Sequence, residues 1–287
     1  MKKPDLPDYV VADIPKQVRA ALEEDIGDGD LTASLIPEQA RATATIITRE
    51  AAVLCGAAWV DEVFRQLGGG VTVEWHATDG DRVQANETLC TLTGNTRQIL
   101  TGERTALNFL QTLSGTATAA RQFADAVAGK NITVLDTRKT LPGLRTAQKY
   151  AVLCGGCRNH RLGLYDAFLI KENHIAACGS ITAAVERARA LDPGKKVIIE
   201  VETAAELEEA IAAHPDQIML DEFDPAGISM ATAAHTAGIT IEVSGSINRH
   251  QLSSLGDPDY PICVSSGAIT KNVTAIDLSL RLIKPTA

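Results

Sequence analysis

The chain has 287 residues, a formal net charge of −9, 45% hydrophobic residues and 4% aromatic residues. This length and hydrophobic content suffice for one large domain or two smaller domains with buried cores. The acidic charge and the scarcity of aromatic side chains for base stacking argue against a nucleic-acid binder. No apolar run reaches the roughly 18 residues that span a bilayer, and the first ten residues lack the apolar core of a signal peptide. We therefore expect a cytoplasmic protein that does not interact with membranes.

Six cysteines stand at positions 55, 90, 154, 157, 178 and 263. Cys154 and Cys157 form a CxxC pair, a spacing found in redox motifs and in one half of many zinc sites. A zinc site would need a second closely spaced pair, which the sequence lacks. A redox or metal role stays open, but the pattern favours two small residues packed in a glycine-rich turn.

The first 115 residues mix strand and helix patterns, which predicts an α+β domain. Strand patterns cover Ala42–Thr48 and Val71–Ala77, and a turn at Asp79-Gly80-Asp81 precedes Arg82–Thr93. Helix patterns cover Ala51–Leu67 and Gln98–Leu113.

An acidic run, Glu24–Asp30, lies near the start of this region. It lacks the twelve-residue spacing and the closing glutamate of a calcium-binding loop. We therefore expect a turn or a helix cap there.

From about residue 134 onward, short apolar strands alternate with helical stretches. The strand candidates are Ile132–Leu135, Ala167–Ile170, Lys196–Val201, Gln217–Leu220, Ile239–Val243 and Ile262–Val264. Amphipathic segments such as Thr182–Leu191 and Ala204–Ala213 lie between them. Strands that are apolar on both faces and joined by helices predict a parallel sheet covered by helices. The spacing of about twenty residues between the later strands favours a β/α barrel.

Polar or charged residues stand at or near the carboxyl end of nearly every strand candidate. They are Asp136, Arg138, Lys139, Lys171, Glu200, Glu202, Asp221, Glu242, Ser244 and Ser265–Gly267. One such residue would be ordinary, because polar residues often begin where a strand ends. Six strands in series predict an active site at the carboxyl-terminal rim of the barrel.

The segment from Asp136 to His174 concentrates positive charge in an acidic protein. It contains seven Lys or Arg residues and three acidic residues. Its cations follow or interrupt apolar segments, where an unpaired charge is costly. We therefore expect this segment to bind a small, multiply charged anion.

Several motifs resemble the quinolinate phosphoribosyltransferase family. They begin with GERTALNFLQTLSGTAT and continue with DTRKTLPGLR, KYAV–CGG–NHR, LIKENHI, EVE, IMLDE, EVSGSI and SSGAIT. Their order and their spread over most of residues 20–283 are more specific than any single motif. The resemblance implies an α/β fold with two domains. An N-terminal α+β sandwich domain, residues 1–115, would be joined by the tail 275–287, and an incomplete β/α barrel would occupy residues 116–274.

The resemblance also implies a reaction. Quinolinate and phosphoribosyl pyrophosphate would give nicotinate mononucleotide, pyrophosphate and carbon dioxide, a step of NAD biosynthesis, with substrate-bound Mg²⁺. For the planar quinolinate dianion, the positions that match family residues are Arg138, His160, Arg161 and Lys171. Guanidinium groups suit carboxylates because they bind them through two parallel hydrogen bonds. Arg104 matches an arginine that reaches in from the neighbouring subunit, which implies a homodimer with shared active sites.

For phosphoribosyl pyrophosphate, the resemblance implies a second set of residues. Glu200 and Asp221 would bind the metal and stabilise positive charge on the ribose, and Lys139 would contact the sugar phosphate or the leaving group. Lys139, Lys171, Glu200 and Asp221 are thus the expected catalytic residues. The segments Ser244-Gly245-Ser246 and Ser266-Gly267-Ala268 resemble a backbone cradle for the 5′-phosphate.

Three positions depart from the family pattern. The family often has Asn at the position of Glu222, Gly at that of Ser246, and Thr-His-Ser where this chain has Thr270-Lys271-Asn272. A lysine can still contact a phosphate as a point charge, so Lys271 stays among the expected phosphate contacts.

Two other interpretations remain. A non-decarboxylating phosphoribosyltransferase for a monocarboxylate such as nicotinate would need fewer cations than the four candidates here. An anion-binding barrel protein without catalysis would share the fold. Such a receptor would gain from Glu200 and Asp221 only if a metal joined them to its ligand.

Overall fold

The computed structural model describes residues 4–222, 231–245 and 247–283. Ser246, one of the expected phosphate-binding residues, lies outside the described residues, as do residues 284–287 of the expected tail. By contacts, the chain divides into two compact units. The first unit comprises Met1–Gln122, Thr140–Gly156 and Ile269–Ala287, and the second comprises Phe123–Lys139 and Cys157–Ala268. The expected domain boundaries stay a prediction.

The described helices are α1 (Asp8–Val11), α2 (Ile14–Ile26), α3 (Ala57–Gln66), α4 (Thr96–Ala126), α5 (Arg145–Gly155), α6 (Glu172–Cys178), α7 (Ile181–Leu191), α8 (Ala204–Ala213), α9 (Thr232–Thr236), α10 (Arg249–Ser254) and α11 (Ala268–Lys271). The described strands are β1 (Arg41–Thr48), β2 (Ala52–Val53), β3 (Val71–Trp75), β4 (Arg82–Val83), β5 (Thr88–Asn95), β6 (Ile132–Leu135), β7 (Phe168–Ile170), β8 (Val197–Val201), β9 (Gln217–Asp221), β10 (Thr240–Ser244), β11 (Ile262–Ser265) and β12 (Leu278–Ile283).

The first unit is built on an antiparallel sheet with the strand order β12-β1-β5-β3. Helices α2, α3 and α4 contribute side chains to one apolar core with this sheet, including the fully buried Trp59, Phe64 and Leu107. Burial of such large side chains contributes roughly 1.5–3 kcal/mol each. The unit is therefore an α+β domain, as the mixed patterns predict.

The second unit contains a six-stranded parallel sheet with the order β6-β11-β10-β9-β8-β7. Its central strands are buried along nearly their whole length, as in β8, where all five residues are buried. Helices connect the strands; α8 begins with a capping box in which Thr203 and Glu206 exchange side-chain-to-backbone hydrogen bonds. The expectation of an incomplete β/α barrel is confirmed.

All six strands expected in the second unit are present, with ends that differ by no more than one residue. The helix expected over Ala51–Leu67 is wrong at its start, because α3 begins only at Ala57. Gly56 has a φ of 121°, outside the helical region, and Asp79 accepts hydrogen bonds from the N–H groups of Gly56 and Ala57. A side chain more than twenty positions away thus sets the start of this helix.

The acidic run Glu24–Asp30 forms a helix end and a turn, as expected. Helix α2 ends at Ile26, and Gly27 follows with a φ of 52°. Asp30 Oδ1 accepts hydrogen bonds from the N–H groups of Thr32 and Ala33. The run therefore caps local backbone.

Candidate active site

A pocket of about 320 Å³ lies at the inner face of the second unit's sheet. Glu200, Met219 and Glu242 pair in register across β8, β9 and β10, so their side chains share this face. The pocket is lined by Thr137, Arg138, Lys139, His160, Arg161, Leu169, Lys171, Glu200, Met219, Glu242, Ser244 and Ser265. It thus brings together seven residues that sequence analysis singled out: Arg138, Lys139, His160, Arg161, Lys171, Glu200 and Ser244.

Two guanidinium groups line this pocket, and neither forms an ion pair with a described carboxylate. Arg138 Nε is buried and has no hydrogen-bond partner among the described residues. Arg161 Nη1 donates to the carbonyl oxygen of Ala167 at 3.1 Å. Burial and the nearby charge of Arg138 lower the pKa of Arg161. Positive charge is therefore crowded here, as in a site for an anion.

Lys171 and Glu200 form an ion pair at the pocket wall through Lys171 Nζ and Glu200 Oε2. The Lys171 side chain is 45% exposed, whereas that of Glu200 is 8% exposed. Lys171 also precedes α6 as its N-cap, and its N–H donates to His174 Nδ1 at 3.1 Å. This cap fixes the backbone from which the ammonium group extends.

Asp136 holds the segment that carries His160 and Arg161. Its side chain is fully buried and accepts hydrogen bonds from the His160 N–H and from Asn159 Nδ2, both at 2.8 Å. The same segment pairs with the edge of β6 through Arg158 and Leu135. Sequence analysis noted Asp136 only as a polar residue after a strand.

Both ring nitrogens of His160 face protein groups. Nδ1 accepts a hydrogen bond from the Arg161 N–H at 2.7 Å, and Nε2 lies 3.2 Å from Glu242 Oε2. Glu242 is fully buried. Sequence analysis gave it no role, although its place near the end of a central strand was a usable signal.

Three carboxylates in the second unit could hold a metal ion. Glu200, Glu202 and Asp221 each offer an oxygen atom, and these atoms lie within 4.8 Å of one another. Hydrogen bonding to Glu172, followed by the charge of Glu172, raises the pKa of Glu202. Carboxylate oxygens are the ligands that Mg²⁺ prefers, so this donor set fits the expected metal and adds Glu202 to the two predicted ligands.

The two expected phosphate-binding loops contain close backbone approaches. Gly245 has a φ of 136°, and a Cβ there would lie 3.1 Å from the carboxylate of Glu222. A Cβ on Gly267 would lie 2.8 Å from Lys139 Cδ. Ser266 Oγ donates to the carbonyl oxygen of Ile247 at 2.6 Å, which ties the loops together. Glycine at both positions therefore allows the Glu222 and Lys139 side chains to approach the backbone closely.

Five predicted residues of the second unit are described but are not among those that line the pocket. Asp221 belongs to the carboxylate cluster and pairs in register with Ser244. Gly245, Ser266, Gly267 and Ala268 belong to the loops that follow β10 and β11. Arg104 and Lys271 belong to the first unit, so their relation to the pocket stays a prediction.

A larger cavity of about 380 Å³ lies beside the pocket and shares Arg161 and Leu169 with it. Its lining is mainly apolar and includes Leu164, Ile170 and Leu191. No carboxylate lines it. The smaller pocket is therefore the better candidate for charged substrates, since it combines cations with an acidic cluster.

The CxxC cysteines fall in different units, Cys154 in the first and Cys157 in the second. The Cys154 thiol lies beside Cys55 and Asp79. Burial, followed by the hydrogen bond to Cys154, raises the pKa of the Cys55 thiol well above its usual value. Thiols of this kind are unreactive, which supports packing rather than redox chemistry.

An α/β barrel with clustered cations beside three carboxylates suits an enzyme whose substrates are multiply charged anions. Sequence models of the quinolinate phosphoribosyl transferase N-terminal and C-terminal domains match residues 30–114 and 116–281. The chain belongs to this family of phosphoribosyltransferases.

Individual relatives agree with this assignment. A probable carboxylating nicotinate-nucleotide pyrophosphorylase of Bacillus subtilis is 40% identical over 258 residues, which cover 90% of this chain and 89% of the relative. A solved structure of the nicotinate-nucleotide pyrophosphorylase from Francisella tularensis is 44% identical, with a TM-score of 0.91. That match covers 99% of this chain and 100% of the other.

Within the part of the chain that the structure describes, no helix has both the length and the apolar character to cross a membrane.

Proposed function

We propose that the chain transfers the phosphoribosyl group of phosphoribosyl pyrophosphate to quinolinate and releases pyrophosphate and carbon dioxide. The product is nicotinate mononucleotide, a precursor of NAD. The observation that carries this proposal is one site in which Arg138 and Arg161 stand beside the Glu200–Glu202–Asp221 cluster. The two arginines can bind the carboxylates of a diacid, and the carboxylate cluster can bind the metal of a metal-bound pyrophosphate. The names of the relatives support the same reaction.

Quinolinate binds through its two carboxylates. Arg138 and Arg161 line the pocket, form no ion pair with a described carboxylate and supply bidentate donors, and Lys171 adds a third cation. Each hydrogen bond to a charged group contributes roughly 1.5–3 kcal/mol. A monocarboxylate would leave part of this charge unpaired, so the pocket favours the diacid.

Phosphoribosyl pyrophosphate binds on the acidic side of the site. Glu200, Glu202 and Asp221 would hold Mg²⁺, which neutralises charge on the pyrophosphate. Lys139 contacts the phosphorylated sugar or its leaving group. Its stem already lies against Gly267 of the second loop. The loops at Ser244-Gly245 and Ser266-Gly267-Ala268 receive the 5′-phosphate.

The reaction then follows from charge placement. Departure of pyrophosphate leaves a ribose with oxocarbenium character, which the carboxylates of Glu200 and Asp221 stabilise. The pyridine nitrogen captures the ribose carbon and becomes cationic. When the 2-carboxylate leaves as carbon dioxide, its bonding electron pair stays on C2, where the adjacent cationic nitrogen stabilises it. C2 then takes up a proton from water, which gives nicotinate mononucleotide. The protein contributes positioning and preorganised charge.

The decisive assay follows nicotinate mononucleotide and carbon dioxide with quinolinate or nicotinate as acceptor, with and without Mg²⁺. We expect nicotinate mononucleotide and carbon dioxide to form with quinolinate but not with nicotinate, and only in the presence of Mg²⁺. Turnover of nicotinate without carbon dioxide release would favour the monocarboxylate transferase. Binding of both anions without product would favour the non-catalytic receptor.

A shared site in a homodimer rests on Arg104. This side chain is exposed and its nearest ion-pair partner is the adjacent Glu103, at 3.1 Å. Mixing Arg104→Ala subunits with Lys171→Ala subunits should restore part of the activity, because one site of each mixed dimer would be intact. Absence of any rescue would contradict sharing.

A further inference from the structure

Glu242 is a buried carboxylate whose charge the fold does not fully compensate. It is fully buried, lies within β10 and lines the pocket. Oε2 faces Gln217 Nε2 and His160 Nε2, whereas the buried Oε1 has no hydrogen-bond partner among the described residues. None of the described Lys or Arg residues forms an ion pair with it. Such a group costs stability compared with an apolar side chain, so a functional reason for its charge should be sought.

The contacts of His160 fix which nitrogen carries the proton. Nδ1 accepts the Arg161 N–H at 2.7 Å, so it presents a lone pair. The proton of the neutral ring therefore sits on Nε2, which lies 3.2 Å from Glu242 Oε2. This contact is electrostatic, because the Nε2 atom is outside hydrogen-bond geometry with any described residue. A proton on Nδ1 would oppose the Arg161 N–H.

Gln217 fixes the orientation of Glu242 in turn. Lys196 Nζ donates to Gln217 Oε1, so the Gln217 amide presents its NH₂ group to Glu242 Oε2. If the Gln217 amide were reversed, its NH₂ group would face the Lys196 ammonium group, and the hydrogen bond from Lys196 would be lost. A continuous network thus runs from Lys196 through Gln217, Glu242 and His160 to the backbone of Arg161.

We infer that Glu242 is a positioning residue for quinolinate binding. Its negative charge beside His160 Nε2 favours the Nε2–H form by electrostatic attraction. This keeps Nδ1 available to the Arg161 N–H and fixes the backbone that presents the Arg161 guanidinium to the diacid. This inference rests on the proposed function. It assigns His160 an indirect role, through the backbone of Arg161.

Two substitutions at this position separate the network from simple packing. Glu242→Gln keeps an oxygen dipole beside His160 Nε2 but loses the charge, so quinolinate affinity should fall by less than in Glu242→Leu, by about 3- to 10-fold. Glu242→Leu removes the acceptor and should weaken quinolinate binding by about 10- to 100-fold. Binding of phosphoribosyl pyrophosphate should change little in either variant. Gln217→Leu, which acts from outside the pocket lining, should weaken quinolinate binding by about 3- to 10-fold.

The readouts are calorimetric dissociation constants for each substrate and NMR spectra of ¹⁵N-histidine-labelled protein. The His160 signals are assigned by their loss in His160→Gln. Wild type and Glu242→Gln should show the Nε2–H tautomer, and Glu242→Leu should show a mixture. An unchanged quinolinate affinity and tautomer in Glu242→Leu would overturn the inference. So would an equal loss of affinity for both substrates, which would indicate general damage to the barrel.

The proposed function and this inference fail in different ways. If wild type does not bind quinolinate, the proposed function fails, and with it the link from Glu242 to the diacid. If wild type binds quinolinate and Glu242→Leu binds it equally well, only the role of Glu242 fails.

Discussion

Asp79 in the first unit is a half-buried carboxylate, whereas Glu242 in the second is fully buried, and their surroundings differ. Asp79 accepts the N–H groups of Gly56 and Ala57 at the start of α3 and a hydrogen bond from the Tyr150 hydroxyl. Glu242 Oε2 accepts a hydrogen bond from Gln217 and lies 3.2 Å from His160 Nε2, whereas its other oxygen has no partner in the described structure.

This difference in hydrogen bonding indicates a structural role for Asp79 and a functional role for Glu242. The contacts of Asp79 are those of a helix cap, so the fold explains its presence. Glu242 and Arg138 each have a buried polar atom without a hydrogen-bond partner in the described structure. Such atoms cost stability, so the fold by itself does not explain these two residues. Incomplete pairing of buried polar atoms therefore distinguishes the site from the scaffold in this protein.

The largest expected effect is at Lys171. Lys171→Ala removes the cation that pairs with Glu200, and we expect turnover to fall by about 100- to 1000-fold, since preorganised charge carries such reactions. The measurement is nicotinate mononucleotide formation at saturating substrates. Lys195→Ala, an exposed lysine in the same unit, is the matched control and should keep normal turnover. Near-normal turnover of Lys171→Ala would contradict the site.

Arg138 tests the carboxylate contact. Arg138→Ala should raise the quinolinate KM by about 10- to 100-fold, because one charge-assisted contact is lost. Arg138→Lys should recover only part of this, since lysine lacks the planar fork. Arg189→Ala, which removes a surface arginine 3.9 Å from Asp216, serves as control. Equal KM values in Arg138→Ala and wild type would place the diacid elsewhere.

The two carboxylates should respond in opposite ways to loss of charge. Asp79→Ala removes a helix cap and should lower the free energy of unfolding by about 1–2 kcal/mol with unchanged quinolinate affinity. Glu242→Leu should leave that free energy unchanged or raise it, while quinolinate affinity falls. Urea unfolding monitored by circular dichroism gives the first quantity. A large destabilisation by Glu242→Leu would remove the contrast.

The smallest effect is a pH dependence at Asp79. Burial raises the pKa of Asp79, against the opposing hydrogen bonds from Ala57, Gly56 and Tyr150. The folded state therefore holds this proton more tightly than the unfolded state, and the associated stability is lost as pH rises through the folded pKa. Asp79→Asn lacks this loss, so its stability relative to wild type should rise as the pH increases from the unfolded pKa of Asp79 through its raised folded pKa. If the difference in unfolding free energy between the variant and wild type did not change with pH, ionisation of Asp79 would have no effect on the stability of the folded state.

Much of the barrel and its site could be predicted from sequence. The strands from Ile132–Leu135 to Ile262–Ser265 are buried apolar runs, and such runs report their own burial without reference to distant residues. Charged residues at their ends then predict a rim, which places Arg138, Lys171 and Glu200 around one pocket. Family motifs added His160 and Arg161 to the same set.

Only the tertiary structure shows which side chains contact one another across distant parts of the chain. Asp79 starts α3 from a distant turn, and Glu242 meets His160 across the pocket. Cys154 lies beside Cys55 rather than sharing a unit with Cys157. Periodicity along the chain determines which face of an element is buried. Which side chain meets which depends on how the closed fold brings distant segments together, and no local pattern records that.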